Sequence, residues 1–242
     1  MLAVRGLCKS FGAKRVLDRV DLDLSSGESL VVIGGSGTGK SVLLRCILGL
    51  EVPDAGSIMW NGAPIGPGFM DAFGMLFQNA ALFDSLPVWR NVAFRLLRTM
   101  PKAQARAIAV EKLARVGLGP EVADLYPAAL SGGMRKRAGL ARAIAADPRV
   151  IFFDEPTTGL DPIRAATINA LIRDIVDETG ATAITITHDM SSVRAIADRV
   201  ALLDQGRLRW QGGVAEMDTA ADDYLRDFIA GRPRPMARVP EA

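Results

Sequence analysis

The chain has 242 residues, 49% of them apolar and 23% charged, with a formal net charge of +2. These values are ordinary for a soluble globular protein, and the length fits one α/β unit with a subdomain. The net charge is too small to indicate nucleic acid as a partner. We interpret the basic clusters at 135–137 and 232–238 first as solvated faces.

Cysteine usage and hydropathy argue against a disulfide-stabilised secreted protein and against a chain that itself spans a membrane. Cys8 and Cys46 have no metal-ligand spacing and fit a reducing compartment without a disulfide framework. No stretch approaches the roughly 20 apolar residues that cross a bilayer, and the first residues lack the apolar region of a secretory signal. We expect a cytosolic chain, for which any membrane role needs a partner that spans the membrane.

The opening third of the chain has the pattern of short strands around one helix. Strands are predicted over residues 2–7, 16–24 and 29–33. Residues 58–65 place Asn61-Gly62 between apolar positions, which is the strongest short signal for a hairpin. One helix is predicted from Lys40 to about Leu50. This third of the chain is therefore expected to be rich in β-structure.

Helical periodicity dominates residues 88–146, and strands then return. Apolar residues at 105, 108, 109, 113 and 116 follow helical spacing, and Gly117 is a plausible helix end. Short apolar runs predict strands over residues 73–77, 150–153, 182–187 and 200–203. Between the second and third of these runs, Asp161 and Pro162 begin a predicted helix. Alternation of strands and helices predicts a parallel sheet with crossovers and a helical insertion.

A glycine-rich loop directly follows the apolar strand that ends at residue 33. Its residues match G-x-x-x-x-G-K-[ST] in full: Gly34, Gly35, Ser36, Gly37, Thr38, Gly39, Lys40 and Ser41. Glycines let successive N–H groups curl around phosphate oxygens, and the following helix adds its positive end. Lys40 is expected to reach the β- and γ-phosphates, and Ser41 to offer its hydroxyl to Mg²⁺.

Two carboxylates end the apolar run over residues 150–153. Asp154 and Glu155 would lie at the carboxyl edge of the sheet, where ligands bind in open α/β folds. Asp154 is placed to hold Mg²⁺, directly or through water. Glu155 is placed to orient and deprotonate an attacking water. Together with the glycine loop, the pair is typical of kinases, GTPases, repair ATPases and transport ATPases, and the absence of Asn-Lys-x-Asp argues against a GTPase.

Five further segments bring most of the chain into register with one family. Ser131, Gly132 and Gly133, between Leu130 and Met134, resemble the signature of ATP-binding cassette (ABC) proteins, although alone they equally fit a capped helix start. The other matching positions are Gln78 of the Q-loop, Asp161 of the D-loop after Gly159-Leu160, His188 of the switch, and Phe11 at the adenine-stacking position. The resemblance covers about residues 2–212.

The resemblance implies a fold and a domain organisation. The fold class is α/β: a P-loop ABC cassette with a RecA-like parallel-sheet core, an antiparallel β subdomain and a helical subdomain at about 88–146. Residues 213–242 would form a C-terminal helix and an Arg/Pro-rich tail.

The resemblance also implies a reaction, which is ATP hydrolysis with Mg²⁺. Glu155 and His188 would be catalytic, and Ser41, Gln78 and Asp154 would hold the metal. In the family, the signature around Ser131 contacts nucleotide bound to a second copy, so two composite sites form per dimer.

Three classes of ABC ATPase remain as alternatives: transport, DNA repair or chromosome maintenance, and ribosome-associated. Repair ATPases insert a long coiled coil between glycine loop and signature, but this chain has no sustained heptads there. Ribosomal members usually carry two cassettes, and this chain has one. Transport is therefore favoured, at the cytoplasmic face of the inner membrane, with transmembrane permease subunits and no nucleic acid.

Finer features resemble the ATPases of Mla and Mce-type phospholipid transporters. They are the segment 75–86, Met134 with the basic run that follows it, and a tail with Tyr224 and Phe228. That group implies a small cytosolic regulatory subunit and a periplasmic lipid-binding component. An amino acid importer shares every catalytic motif and stays the alternative. Within the apolar loop 80–89, we expect Phe83 and Trp89 in the core and Leu82 and Leu86 in a permease groove.

Overall fold

The computed structural model describes residues 1–232. Its strands are β1 (Leu2–Phe11), β2 (Lys14–Leu24), β3 (Ser29–Ile33), β4 (Ala55–Trp60), β5 (Ala63–Pro64), β6 (Phe73–Leu76), β7 (Val150–Asp154), β8 (Thr182–Ile186), β9 (Arg199–Asp204) and β10 (Arg207–Gly213). Its helices are α1 (Lys40–Ile47), α2 (Pro67–Ala72), α3 (Val88–Val92), α4 (Lys102–Arg115), α5 (Gly132–Ile144), α6 (Pro162–Thr179), α7 (Met190–Ile196) and α8 (Asp223–Ile229). Among these helices, none combines the length and apolar character needed to cross a bilayer.

The strands form two sheets with different hydrogen-bonding patterns. One is antiparallel with the order β2-β1-β4-β5, and the other has the order β10-β9-β3-β8-β7-β6. In the second sheet every neighbouring pair from β9 to β6 is parallel, and only β10 is antiparallel. The second sheet is the parallel sheet expected from the alternation of strands and helices, and the first is the antiparallel subdomain that the resemblance to ABC cassettes implied.

The burial patterns of the strands differ between the two sheets. β3 and β8 are buried at every position, as strands covered on both faces must be. From Val20 to Leu24, β2 instead alternates between buried apolar and exposed polar residues, which fits a sheet with one solvated face.

β3 also separates the two cores. Val31 and Ile33 face the cluster beneath the helices, whereas Leu30 and Val32 face the cluster shared with β1, β2 and α1.

Helix α5 lies on β6 and against α3 and α4. The approach is close because residue 74 is a glycine: a Cβ there would lie 1.9 Å from the carbonyl oxygen of Ala143. Helix α6 begins at the predicted cap, where Asp161 accepts a hydrogen bond of 2.9 Å from the Arg164 N–H.

Most predicted elements are confirmed, with shifted ends. The hairpin at Asn61-Gly62 is present, and both residues have positive φ, as a type I′ turn requires. The first helix ends at Ile47, before the expected residue. β10 was not predicted, because its residues alternate without a continuous apolar run. The Arg/Pro-rich tail, with Arg234 and Arg238, lies outside the described residues.

Candidate active site

Four neighbouring parallel strands deliver most of the predicted site residues to one edge of the larger sheet. β3 leads into the loop 34–39, β8 into His188, β7 into Asp154 and Glu155, and β6 into Gln78. Because parallel strands carry their carboxyl ends to the same edge, the four loops are neighbours in the order of the strands. The structure therefore brings together residues that lie far apart in the sequence.

The glycine loop is pressed against β2 and β9. Gly34 and Gly39 have φ of 150° and 108°, in a region that side chains rarely adopt. A Cβ on Gly34 would lie 2.2 Å from the carbonyl oxygen of Leu203, and one on Gly39 would lie 2.8 Å from that of Val16. Both glycines are thus required by space as well as by conformation.

The first turn of α1 has no side-chain cap at Gly39. Its N–H groups are therefore available to an anion held in the loop.

Lys40 lies inside the curled loop. Its side chain is buried, and Nζ donates hydrogen bonds of 2.8 Å to the carbonyl oxygens of Gly34 and Gly35. Burial lowers the pKa of Lys40, whereas the carboxylates of Glu155 and Asp154 raise it. The ammonium group therefore lies in the electrostatic field of the two carboxylates that end β7. Such a buried cation at the start of a helix attracts phosphate oxygens.

Asp154 and Glu155 differ in their surroundings. Burial raises the pKa of Asp154, and the neighbouring Glu155 carboxylate raises it further, against Arg45, Lys136 and Lys40. A carboxylate held at such a desolvated position gains from a cation beside it.

Glu155 has a left-handed backbone, with φ of 48°. This conformation costs about 1 kcal/mol for a residue with a Cβ. Such backbone strain clusters at functional sites.

Hydrogen bonds fix Glu155 on three sides. Its N–H donates to the carbonyl oxygen of Ile186 at 2.8 Å, which ties it to the end of β8. Oε2 accepts from the Thr158 hydroxyl at 3.1 Å, and Oε1 lies 2.9 Å from Nδ1 of His188. The Glu155 side chain is largely buried, whereas 65% of the His188 side chain is exposed. The pair thus links a fixed carboxylate to a ring at the surface.

The remaining predicted residues occupy other places. Ser131 caps α5 by accepting from the Met134 N–H at 3.3 Å, and it is exposed together with Gly132. Phe11 ends β1 with 47% of its surface exposed, and the Lys9 ammonium lies 5.2 Å from its ring. Asp161 is committed to capping α6 and to an ion pair with Arg164.

Lys136 corrects the interpretation of the basic run as a solvated face. The side chain is buried, and Nζ donates to the main-chain carbonyl oxygens of Gln78 and Glu155. The sequence held a signal for this burial: Lys136 lies four and eight residues before Leu140 and Ile144, on the apolar stripe of the same helix. No role in the site had been assigned to this lysine from its residue type and position in the sequence.

Phe83 is a second correction. It was expected in the core, but 45% of it is exposed, and its ring lies 4.8 Å from that of the equally exposed Phe94. Trp89 is buried as expected. The cause is Asn91, a buried residue whose side chain binds the loop 83–87 and turns Phe83 outward.

The residues present fit ATP and Mg²⁺. The glycine loop leaves no room for a Cβ at Gly34 and Gly39 and provides main-chain N–H groups, and Lys40 adds a positive charge. Within residues 1–232, no cluster of His, Cys, Asp or Glu could hold a metal by itself. Mg²⁺ commonly uses one or two protein carboxylates with substrate phosphates, so the exposed Ser41 hydroxyl and Asp154 suit it. When bound, the ion would neutralise charge on the phosphates.

A family model for ABC transporters matches residues 17–158, which include the glycine loop, the signature and both carboxylates. The chain belongs to the ABC transporter family, as an ATP-binding subunit. Members of this family hydrolyse ATP, so this cassette is an ATPase.

Two curated relatives and one solved structure show how far the similarity to this cassette extends. The probable ribonucleotide transport ATP-binding protein mkl of Mycobacterium leprae is 41% identical over 96% of the cassette and 69% of its own length. The methionine import ATP-binding protein MetN of Mesorhizobium japonicum is 42% identical over 95% of the cassette and 65% of its own length.

The solved structure is a dimeric ATP-binding cassette in a post-hydrolysis state, bound to ADP and Pi. It superposes with a TM-score of 0.80 at 27% identity, covering 88% of the present cassette and 99% of that chain. The fold class predicted from the sequence is thereby confirmed.

Proposed function

We propose that this ABC ATPase works as an ATP-closed dimer that powers a phospholipid transporter through membrane-spanning permease subunits. The observation that carries the ATPase part is the convergence of four loops at one sheet edge, with Lys40, Asp154 and Glu155 in a common electrostatic environment. The dimer, the cargo and the permease are supported by separate observations, which are taken in turn below.

The catalytic roles follow from the contacts of each residue. Lys40 and the N–H groups of α1 would hold the phosphates, and Ser41 and Asp154 would hold Mg²⁺. Glu155 would orient the attacking water and accept its proton, because its carboxylate is fixed at the end of β7. His188 would orient that carboxylate through the contact at Nδ1 and turn its exposed ring toward the terminal phosphate. Gln78, which follows β6, would complete the metal site.

The dimer is supported by the separation of two anion-binding ends within one chain. The N-terminus of α1 follows β3, whereas α5, capped by Ser131, lies on β6 at the far side of β8 and β7. Two helix N-termini on opposite parts of a chain suit a nucleotide held between two copies. Phe11, Ser131 and Asp161, which are exposed here, would then contact the nucleotide or the facing copy.

The dimer and the base are tested with three variants of the full chain. Glu155→Gln is expected to bind ATP, stall hydrolysis and accumulate as a dimer in size-exclusion chromatography with light scattering. Normal turnover of Glu155→Gln removes Glu155 from the base role. Lys40→Ala and Ser131→Arg are each expected to be inactive. Mixing the last two is expected to restore one composite site, and a formed heterodimer without activity contradicts catalysis in trans.

Three exposed aromatic rings, which we call the aromatic patch, support contact with a permease. Phe83 and Phe94 each expose 45% of their surfaces and their ring centroids lie 4.8 Å apart, and Phe77, one residue before Gln78, exposes 38%. Exposed apolar rings of this kind are typical of interaction sites. Phe83→Ser is expected to lose co-purification with the permease while the ATPase rate of the isolated chain is kept. Retained co-purification contradicts this assignment.

Phospholipid cargo rests on the resemblance of segment 75–86 and of Met134 to Mla and Mce-type ATPases. A regulatory subunit and a periplasmic lipid-binding component would complete such a machine. The second candidate is import of a polar solute, favoured by the 42% identity to a methionine import ATPase.

Purification with the native membrane partners, followed by mass spectrometry, separates the two cargo candidates. Phospholipid enriched above a detergent control supports lipid transport, and its absence favours the polar solute.

A further inference from the structure

Lys136 joins three functional segments through one buried ammonium group. It lies in the second turn of α5, the helix that begins at the signature. Its Nζ donates to the carbonyl oxygen of Gln78 and, at 3.2 Å, to that of Glu155. Burying a lysine ammonium group costs free energy unless its charge is compensated and its N–H donors are hydrogen-bonded. These two hydrogen bonds to carbonyl oxygens therefore contribute substantially to stabilising Lys136 in its buried position.

The contact with Glu155 bears on the conformation of that residue. Glu155 has φ of 48°, and its N–H is held by Ile186. On the other side its carbonyl oxygen accepts from Lys136 and from the Thr158 N–H, the latter at 3.3 Å. The main chain is therefore clamped on both sides of a strained residue. The direction of the carboxylate, which meets His188, depends on this clamp.

The contact with Gln78 connects the same ammonium group to the loop after β6. A second cation of α5, Arg142, donates to the carbonyl oxygens of Ala80 and Ala81, both at 2.6 Å. Both alanines also have positive φ. Helix α5 thus holds the carbonyl oxygens of Gln78, Ala80 and Ala81 from one side. Among the hydrogen bonds of residues 1–232, only those of Lys136 connect this segment to Glu155.

We propose that Lys136 is a positioning residue for ATP hydrolysis. It holds Glu155 in its left-handed conformation and makes the placement of that carboxylate depend on α5 and on the Gln78 segment. A displacement of the Ser131 end of α5, or of the segment 78–81, then moves the base. The proposal rests on the proposed role of Glu155. Burial lowers the pKa of Lys136, and the carboxylates of Glu155 and Asp154 offset part of this effect.

The test compares four variants of the full chain in steady-state phosphate release and in binding of a fluorescent ATP analogue. Lys136→Met keeps the length of the side chain and removes its donors. Lys136→Arg keeps the charge and can bridge two carbonyls. Arg137→Met is the matched control, because Arg137 donates to the carbonyl oxygen of Gly117 from the same helix but away from the site. Glu155→Gln reports separately on the base.

For Lys136→Met, kcat is expected to fall about 10- to 100-fold, the loss caused by misplacing a reacting group by about 1 Å. Its KM, its nucleotide affinity and its Tm are expected to stay close to those of the wild type. Lys136→Arg is expected to recover most of kcat, and Arg137→Met to match the wild type. This combination supports positioning, since a purely structural role would change affinity and Tm together.

Two results overturn the proposal. One is a kcat for Lys136→Met within twofold of the wild type. The other is a loss of nucleotide affinity or of Tm that accompanies the loss of kcat in both Lys136→Met and Lys136→Arg. If Lys136→Met does not fold, the same parallel loss in Lys136→Arg is sufficient. If Glu155→Gln keeps normal turnover, the role of Glu155 fails. If that variant stalls while Lys136→Met is normal, only the present proposal fails.

Discussion

Replacing Asn91 is the sharpest test of how the exposed aromatic patch is built. Asn91 is fully buried at the start of the helical region. Its Oδ1 accepts from the Phe83 N–H at 2.6 Å, and Nδ2 lies within hydrogen-bonding distance of the carbonyl oxygens of Phe83, Leu86 and Pro87. One amide therefore closes the loop that presents Phe83 to solvent.

The contacts set the size of the effect of Asn91→Ala. An amide has two N–H donors and an acceptor oxygen, so three hydrogen bonds are lost. After the substitution, the carbonyl oxygen of Phe83 still accepts from the Leu86 N–H, and that of Pro87 still accepts from the main-chain N–H of residue 91. The Phe83 N–H and the carbonyl oxygen of Leu86 keep no described partner. At about 1 kcal/mol each, the loss is about 3 kcal/mol. For a chain of this size, that lowers Tm by about 6–12 °C.

Thermal and urea unfolding of the full chain measure this loss. Asn91→Asp is the informative companion, because it has nearly the same volume but points a carboxylate at three carbonyl oxygens. We expect it to be at least as destabilised as Asn91→Ala. Asn79→Ala is the control, since Asn79 is exposed nearby and makes no described side-chain hydrogen bond. An Asn91→Asp variant as stable as the wild type would refute the hydrogen-bond account.

Three further outcomes follow from packing and titration. Gly74→Ala is expected to lower Tm, with a loss of about 1–3 kcal/mol for overpacking, because its Cβ would meet the carbonyl oxygen of Ala143. Burial raises the pKa of the Cys46 thiol to about 11, so a thiol reagent at pH 8 should modify only the other cysteine until the chain unfolds. The Arg207 guanidinium lowers the pKa of Asp18. The ionised Asp18 side chain therefore stabilises the fold at pH values above its pKa in the unfolded chain, and this stabilisation is lost as pH falls through its pKa in the folded chain. In urea unfolding, the free energy of unfolding of Asp18→Asn should approach that of the wild type at acid pH.

The sequence was sufficient for elements whose pattern is local. The glycine loop, the carboxylate strand and the capped helix at Asp161 each depend on a few consecutive residues, and the structure has all three. Strand order was beyond such reasoning, because β3 pairs with strands that follow it by more than 150 residues.

Side chains whose role depends on distant backbone were not predictable from residue type. Lys136 was grouped with its charged neighbours, although its partners, Gln78 and Glu155, come from two other loops. Phe83 was assigned to the core because it is aromatic, and Asn91 turns it outward. In both cases a hydrogen bond between a side chain and the main chain of another segment outweighed the general preference of the residue.

The position of β3 in the middle of the larger sheet has a consequence for synthesis. Both neighbours of β3 are C-terminal: Ser29 pairs with Ala183 of β8, and Leu30 pairs with Arg199 of β9. On the ribosome, β3 is synthesised early, but β8 and β9, the strands with which it pairs, are synthesised only when most of the chain has been made. Nascent chains that stop before residue 182 would leave this apolar strand unpaired and open to aggregation. The ability to bind ATP should therefore arise late in translation, after the signature helix has already been made.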